Sequence, residues 1–395
     1  MSKVVAKRLG DIVNFKRGYD LPESQRAPGP YPVISSAGIS GYHNEYKVDG
    51  EGIVTGRYGT LGEMYFVNGK YWPHNTALYV TTFKGNDPKY IYYLLSCLGR
   101  IRTSDKSAVP GVNRNELHEM AVPFIQDKVQ QKKISAALSA LDTKIDCNNR
   151  INAELEAMAK TLYDYWFVQF DFPDTSGKPY KSSGGKMVYN STLKREIPVG
   201  WNDGTLDNLG QIVGGSTPST KKESNFTDHG TPWITPNDLS DNQGYKFITR
   251  GAQDVSDSGI KDASLKKYPA GTVLLSSRAP IGYMAIARNE LTTNQGFKSF
   301  IPSNGYSTAF IYYTVKNSMK AITQYASGST FKEVSGTVLK TVKVCLPESS
   351  VVERFTISVE PIFKHQDILE QENQQLTELR DWLLPMLMNG QVTVI

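Results

Sequence analysis

Between residues 134 and 162 the seam positions fall at intervals of 4 and 3, at Ile134, Leu138, Leu141, Ile145, Asn148, Asn152, Leu155, Ala159 and Leu162. That heptad spacing predicts a long helix with a single seam, and such a seam needs a partner helix. The spacing returns 221 residues later at Phe355, Val359, Ile362, Gln366, Leu369, Asn373, Leu376, Arg380 and Leu383, with Asn152 mapping onto Asn373 and Leu155 onto Leu376. Two such helices in one chain most simply pack on each other. An amide in an apolar seam costs stability but fixes register and orientation, so Asn148, Asn152, Gln366 and Asn373 are candidate register residues. The plainer alternative is a solvent-facing polar position on each helix.

Outside the helices the pattern changes. The stretch YPVISSAGISGYHNEYKVDGEGIVTGRYGTLGEMYFVNGKYW at 31–72 is rich in β-branched and aromatic residues, interrupted by Gly, Asn and Asp, which predicts short strands and tight turns. Around Tyr90 to Leu98 and Ala309 to Ser318 the apolar spacing turns helical, so the expected class is α+β. The halves echo one another here too. GIVTGRYGTLGEM at 52–64 resembles GTVLLSSRAPIGYM at 271–284, setting Arg57 beside Arg278 and Gly62 beside Gly282; Ile91-Tyr92-Tyr93 recurs as Ile311-Tyr312-Tyr313. SAVPGVNRNEL at 107–117 faces STFKEVSGTVL at 329–339, and Val122-Pro123 faces Leu346-Pro347. The repeat defines the building unit as a strand-rich domain followed by one long helix. The expected division is a first domain at 1–128, a central helix at 129–170, a Gly/Ser/Lys linker at 171–196, a second domain at 197–350 and a C-terminal helix at 351–390.

At 395 residues the chain can hold two or three domains, each with its own core. It has no run of 18 apolar residues, and MSKVVAKRLG lacks the apolar stretch of a secretory leader, so a cytoplasmic location without membrane is expected. Cys97, Cys147 and Cys345 are far apart and make no CxxC pair, indicating neither a disulfide framework nor a zinc site. The net charge of +5 divides as +4 over 1–128, zero over 129–168, +3 over 169–195, +2 over 196–350 and −4 over 351–395. This excess is compatible with nucleic-acid contact without arguing for it. GxxxxGK[ST], GxSxG and HExxH are all absent, as is an Asn-Pro-Pro-aromatic tetrapeptide, and His43, His74, His118, His229 and His365 are scattered. The balance points to a binding protein rather than an enzyme, with no metal and no cofactor of its own.

Duplicated halves of this kind, together with YWFVQFDFP at 165–173, IPVGW at 197–201 and GSTFKEVS at 328–335, resemble the DNA-specificity subunit of type I restriction-modification systems. The resemblance spans essentially the whole chain. The first half departs from the pattern by opening on VAKRLGDIV without an IPVGW-like lead, and SAVPGVN lacks the Thr-Phe-Lys core of its counterpart. The resemblance implies a non-catalytic subunit with two target-recognition domains, each reading one half of a split double-stranded DNA sequence, joined by an antiparallel coiled coil. It also implies two methyltransferase subunits that bind S-adenosylmethionine and methylate adenine, and restriction/translocase subunits that use ATP and Mg. From Ile134 to Tyr165 a helix would run roughly 48 Å, or about 14 base pairs of B-DNA, enough to set an unread spacer. A two-domain coiled-coil scaffold for protein or glycan is the alternative.

Base reading calls for forked donors and amides, while Lys, Ser and Thr grip phosphates. In the first domain the candidates are Arg57, Tyr58 and Thr60 in GRYGTLG, His74 and Asn75 in WPHNT, and Lys106 before SAVPG. In the second they are Arg278, Asn294, Gln295 and Lys298, with Thr330 and Lys332 in GSTFKE. For each, the bland alternative is a turn residue or a surface charge. The aromatic cluster Tyr163, Tyr165, Trp166, Phe167 and Phe170 reads as packing where helix meets domain.

Overall fold

The computed structural model describes residues 4–57, 63–98, 113–278, 280–325 and 333–394. The chain divides into two compact units, Met1–Cys147 with Asn373–Ile395, and Asn148–Glu372.

The first unit carries an antiparallel four-stranded sheet in the order Asn14–Arg17, Ala77–Thr82, Gly52–Gly56, Met64–Val67. A smaller sheet joins Gly38–His43 to Tyr31–Ser35 and Tyr31–Ser35 to Trp72–Pro73, the last pairing parallel. Val4–Arg8 and Ala121–Ile125 close the domain as an antiparallel pair. The helix Pro88–Cys97 starts where the sequence supplies a cap, with Asp87 accepting from Tyr90 N–H and Pro88 at the first turn. Its Tyr90, Ile91 and Leu94 are fully buried against Phe15, Ile53 and Val80 of the large sheet.

The second unit repeats this order of strands. Its large sheet runs Gly210–Gly214, Lys298–Pro302, Val273–Leu275, Met284–Ala287, with Phe247–Ile248 added at the end. Thr231–Ile234 pairs in parallel with Thr292–Thr293, as Tyr31–Ser35 does with Trp72–Pro73. Asn202–Thr205 and Lys343–Leu346 form the closing pair. The matching helix Thr308–Asn317 is capped by Ser307. Phe226–Thr227, Gln253–Val255 and the short helices Pro236–Asp241 and Asp257–Asp262 are elaborations of the second copy. The duplication inferred from scattered strings is thus a duplication of topology.

The expected linker at 171–196 is instead folded. Phe172 is buried in the second unit's core and stacks on Trp201 and Tyr180, and Asp171 accepts from Ser182 N–H and Oγ–H at 2.7 and 2.6 Å. Met187–Asn190 and Arg195–Pro198 then form a hairpin. The buried aromatic and the bonded carboxylate outweigh the local Gly/Ser composition.

The two long helices span Lys128–Tyr163 and Ser349–Met388, the first ending in a π-type turn over Asp164–Val168. Within each unit their segments pack antiparallel. In the first unit Ile134 and Leu138 share a core with Leu387 and Met388, and Asp142 meets Arg380. In the second, Asn148 meets Glu372, Asn152 meets Gln366 and Tyr163 meets Phe355. None of the nine predicted seam positions on either helix is exposed.

Candidate nucleic-acid interface and helix seam

In each domain one loop follows the short parallel strand, and its backbone is fixed by the same bonds in both copies. His74 N–H donates to Ile34 O at 2.8 Å, and Asn294 N–H donates to Ile234 O at 2.9 Å. A second chain segment crosses directly beneath, Tyr19 N–H bonding Pro73 O in one copy and Ser216 N–H bonding Thr293 O in the other. The crossing is so close that only glycine fits before it. A Cβ on Gly18 would lie 2.2 Å from His74 O, and one on Gly215 would lie 2.1 Å from Thr293 O. NFKRG and QIVGG are therefore equivalent seats for equivalent loops.

The structure brings Arg57, His74 and Asn75 together. Arg57 N–H donates to Thr76 O at 2.9 Å, at the end of strand Gly52–Gly56. Asn75 donates its amide to Asp20, and its carbonyl accepts from Arg17 Nε at 3.2 Å. His74 Nδ1 lies 3.0 Å from Thr76 Oγ1. Partial burial and the nearby Arg26 guanidinium lower the His74 pKa below the usual range, which favours neutral imidazole at pH 7, one nitrogen donating and one accepting.

In the second domain Asn294 Oδ1 accepts from Gly296 N–H at 2.8 Å, which closes the loop. Gln295 is exposed, and its amide oxygen accepts from Thr217 Oγ1–H. Lys298 pairs with Glu333 at 3.7 Å, and Glu333 in turn bridges Arg278 through the backbone. Arg278, Asn294, Gln295 and Lys298 thus gather around one end of the large sheet. Tyr58, Thr60, Lys106, Thr330 and Lys332 lie outside the described residues.

The pairing of Arg57 with Arg278 needs correcting. The rung made by Arg57 N–H to Thr76 O is made in the second copy by Ser277 N–H to Gly296 O at 2.8 Å, so the structural counterpart of Arg57 is Ser277. The second turn is one residue longer, and alternate strand residues face opposite ways, so Arg278 is not at the equivalent position. Sequence reading also missed Arg17 and Thr217, which hold the loops from below. The basic strand end NFKRG was the available signal for the first; nothing local marks the second.

The seam amides are buried: Asn148, Asn152, Gln366 and Asn373 are 0, 8, 3 and 0% exposed. Asn148 Nδ2 donates to Glu372 Oε2 at 2.8 Å, and Gln366 Nε2 donates to the Asn152 carbonyl at 3.3 Å. Both side-chain polar atoms of Asn152 are buried without a hydrogen-bond partner. Tyr163, Trp166, Phe167 and Phe170 lie in the second unit's core, ring on ring with Phe355, Phe310 and Trp201, while Tyr165 remains partly exposed. Among the described residues, no helix is long and apolar enough to cross a membrane, and no cluster of His, Cys, Asp and Glu could hold a metal ion.

Comparison with known proteins matches the family model described as the type I restriction modification DNA specificity domain to residues 1–157 and 198–378. The chain is 38% identical over 200 residues to the specificity subunit of type I restriction enzyme MjaIX from Methanocaldococcus jannaschii, covering 48% of this chain and 45% of that one. It therefore spans a little under half the length of that relative. It is 28% identical over 319 residues to the HindI specificity subunit from Haemophilus influenzae, covering 68% of each. The crystal structure of a type I restriction-modification S subunit from M. genitalium superposes with a TM-score of 0.62 at 16% identity, over 98% of this chain and 96% of that one, a likeness of fold.

Proposed function

The chain belongs to the type I restriction-modification DNA-specificity family, and from that premise we propose that it is the recognition subunit of a methyltransferase and endonuclease complex. Each domain reads one half of a bipartite double-stranded DNA target. Methylation of adenine and cleavage fall to partners: two methyltransferase subunits, which supply S-adenosylmethionine, and restriction/translocase subunits, which use ATP and Mg. The chain works in the cytoplasm.

The observation that carries this reading is the repeated loop. One backbone frame, seated on a glycine, offers His74 and Asn75 in one copy and Asn294 and Gln295 in the other. Two copies of one frame with different side chains are what two independent readers of different sequences require. Asn and Gln supply the paired donor and acceptor that matches the adenine edge, and a neutral imidazole supplies one of each. Arg57, Arg278 and Lys298 stand nearby for guanine edges or phosphates, and Tyr58, Thr60, Lys106, Thr330 and Lys332 complete the candidate surface. The helix pair sets the spacer, and Asn148, Asn152, Gln366 and Asn373 hold its register, because a slip of one heptad would shift a helix about 10 Å along its partner.

Exchange of residues 210–302 for the matching segment of a relative, followed by methylome sequencing with the methyltransferase present, tests this. One half of the motif should change and the other should survive. A wholly altered motif would rule out independent readers. Retention of DNA without sequence dependence would favour a scaffold.

A further inference from the structure

Lys246, which precedes strand Phe247–Ile248, is 5% exposed and touches both long helices. Its Nζ is 2.6 Å from Glu156 Oε2 on the central helix and 2.6 Å from Gln366 Oε1 on the C-terminal helix. The Tyr313 hydroxyl lies 3.1 Å away, and the Phe363 ring centroid 3.9 Å away. An ammonium has three protons, and three acceptors surround this one. Glu370, on the same helix as Gln366, accepts from Lys246 N–H at 2.7 Å and from Phe247 N–H at 3.0 Å.

We propose that Lys246 is a positioning residue that indexes the second recognition domain to one register of the helix pair, and so restricts the spacer between the half-sites. The inference rests on the recognition function proposed above. Gln366 is the link, since its amide donates to the Asn152 carbonyl and its oxygen serves Lys246, so it reports helix register to the domain. A slip that keeps an apolar seam moves a helix by three or four residues, about 5 Å. In one direction it replaces Gln366 with Ile362 or Phe363, neither of which accepts a hydrogen bond. In the other it brings up Leu369 or Glu370, and Glu370 leaves the two backbone N–H groups it serves.

Two substitutions separate indexing from folding. Lys246→Met preserves the unbranched stem, and Glu156 keeps Lys316 Nζ at 2.8 Å and the Tyr313 hydroxyl at 2.9 Å, so only Gln366 Oε1 loses its partner. The double variant Lys246→Met with Gln366→Leu removes that orphan as well. Lys364→Met, which breaks the exposed pair with Glu360 on the same helix, is the control.

Each full-length variant is expressed with the methyltransferase subunit against a plasmid library in which the parental half-sites are separated by the parental spacer or by longer and shorter ones. The expected result is unchanged half-sites, with methylation at off-length spacers rising about tenfold over the parent in both Lys246 variants, and no change in the control. Strict retention of the parental spacer in a double variant that melts like the parent would overturn the proposal. So would failure of the double variant to fold, which would make the cluster a stability element, and so would a changed second half-site, which would put Lys246 in base reading. A parental complex that methylates without sequence preference would overturn the recognition function itself, and this inference with it.

Discussion

The two units make the same join between domain and helices with different chemistry. In each, a tyrosine from the equivalent helix donates to a carboxylate on the central helix: Tyr93 to Asp142 at 2.5 Å, and Tyr313 to Glu156 at 2.9 Å. In the first unit the cation completing this set is Arg380, 3.0 Å from Asp142, and it comes from the other helix. In the second unit the cations are Lys246 and Lys316, and they come from the domain. The rest of the first join is apolar, with Leu94, Ile134, Leu138, Leu387 and Met388 in one core. There Gln131 takes the polar work, accepting from Asp87 N–H at 3.0 Å and donating to Ile125 O at 2.8 Å. The second join adds a further buried pair, Arg288 to Glu370 at 3.0 Å. Duplication therefore kept the phenol-to-carboxylate contact and let its surroundings diverge, one copy towards oil and amide, the other towards paired charge.

The largest effect expected is at the aromatic floor of the second join. Phe355 is fully buried and its ring centre is 5.0 Å from that of Phe167, so Phe355→Ala should cost about 3–5 kcal/mol in urea unfolding followed by tryptophan fluorescence. Leu138→Ala in the first unit should cost about 2–5 kcal/mol. A Phe355 penalty below that of Leu138 would mean that charge rather than ring packing dominates the second join.

Stability against pH sharpens the contrast. Burial pushes the Glu370 carboxyl up to about 7 from 4.5, against the opposing pull of the Lys246 and Phe247 N–H groups and Arg288. A carboxyl raised in the folded state contributes stability that is fully present below 4.5 and is lost as pH rises through about 7, with an upper bound of ~3 kcal/mol. Glu156 runs the other way. Burial raises its pKa, but the lysines beside it lower it further, so its contribution is present above 4.5 and is lost as pH falls below that. Between pH 8 and 5.5, then, the second unit should gain stability, and Glu370→Gln should flatten that gain. An unchanged pH slope in Glu370→Gln would show that the carboxylate stays ionised beside Arg288.

At the loops the comparison concerns specificity. Asn75→Ala should weaken binding to the parental target by about 1–3 kcal/mol and relax one half of the motif, while Gln295→Ala should do so in the other half. Binding measured against half-site mutant duplexes reads both. Loss of preference in the wrong half, or in both, would break the assignment of one domain to one half-site.

Much of this architecture was legible because helix periodicity is a local property. Nine positions on each helix kept one phase, and burial followed them through Asn148, Asn152, Gln366 and Asn373. The domains were legible as copies because strand order is carried by spaced turns and caps such as Asp87 and Ser307. Single residues fared worse. One added residue in the turn before Arg278 moved it out of step with Arg57, a shift that string matching absorbs and a β-ladder does not. Lys246 sits in GYKFIT, a context that looks like an exposed strand end; its burial depends on Glu156 and Gln366, far away in sequence. The Gly/Ser run near 182 looked like a spacer because Phe172 and Asp171, which anchor it, come earlier in the chain.

The smallest effect expected belongs to the pair that most resembles the second unit's cluster. Arg380 and Asp142 are 3.0 Å apart, but their side chains are 30% and 27% exposed, whereas those of Lys246 and Glu370 are 4% and 3% exposed. Water screens the first pair, and an ion pair in that setting contributes about 0–1 kcal/mol. Asp142 would also keep the Tyr93 hydroxyl if Arg380 were lost. Arg380→Met should therefore shift urea stability by no more than about 1 kcal/mol, and moderate salt should erase the difference. A penalty comparable to that of Phe355→Ala, insensitive to salt, would mean that the first join depends on charge as heavily as the second, and that the two copies diverged less than their side chains indicate.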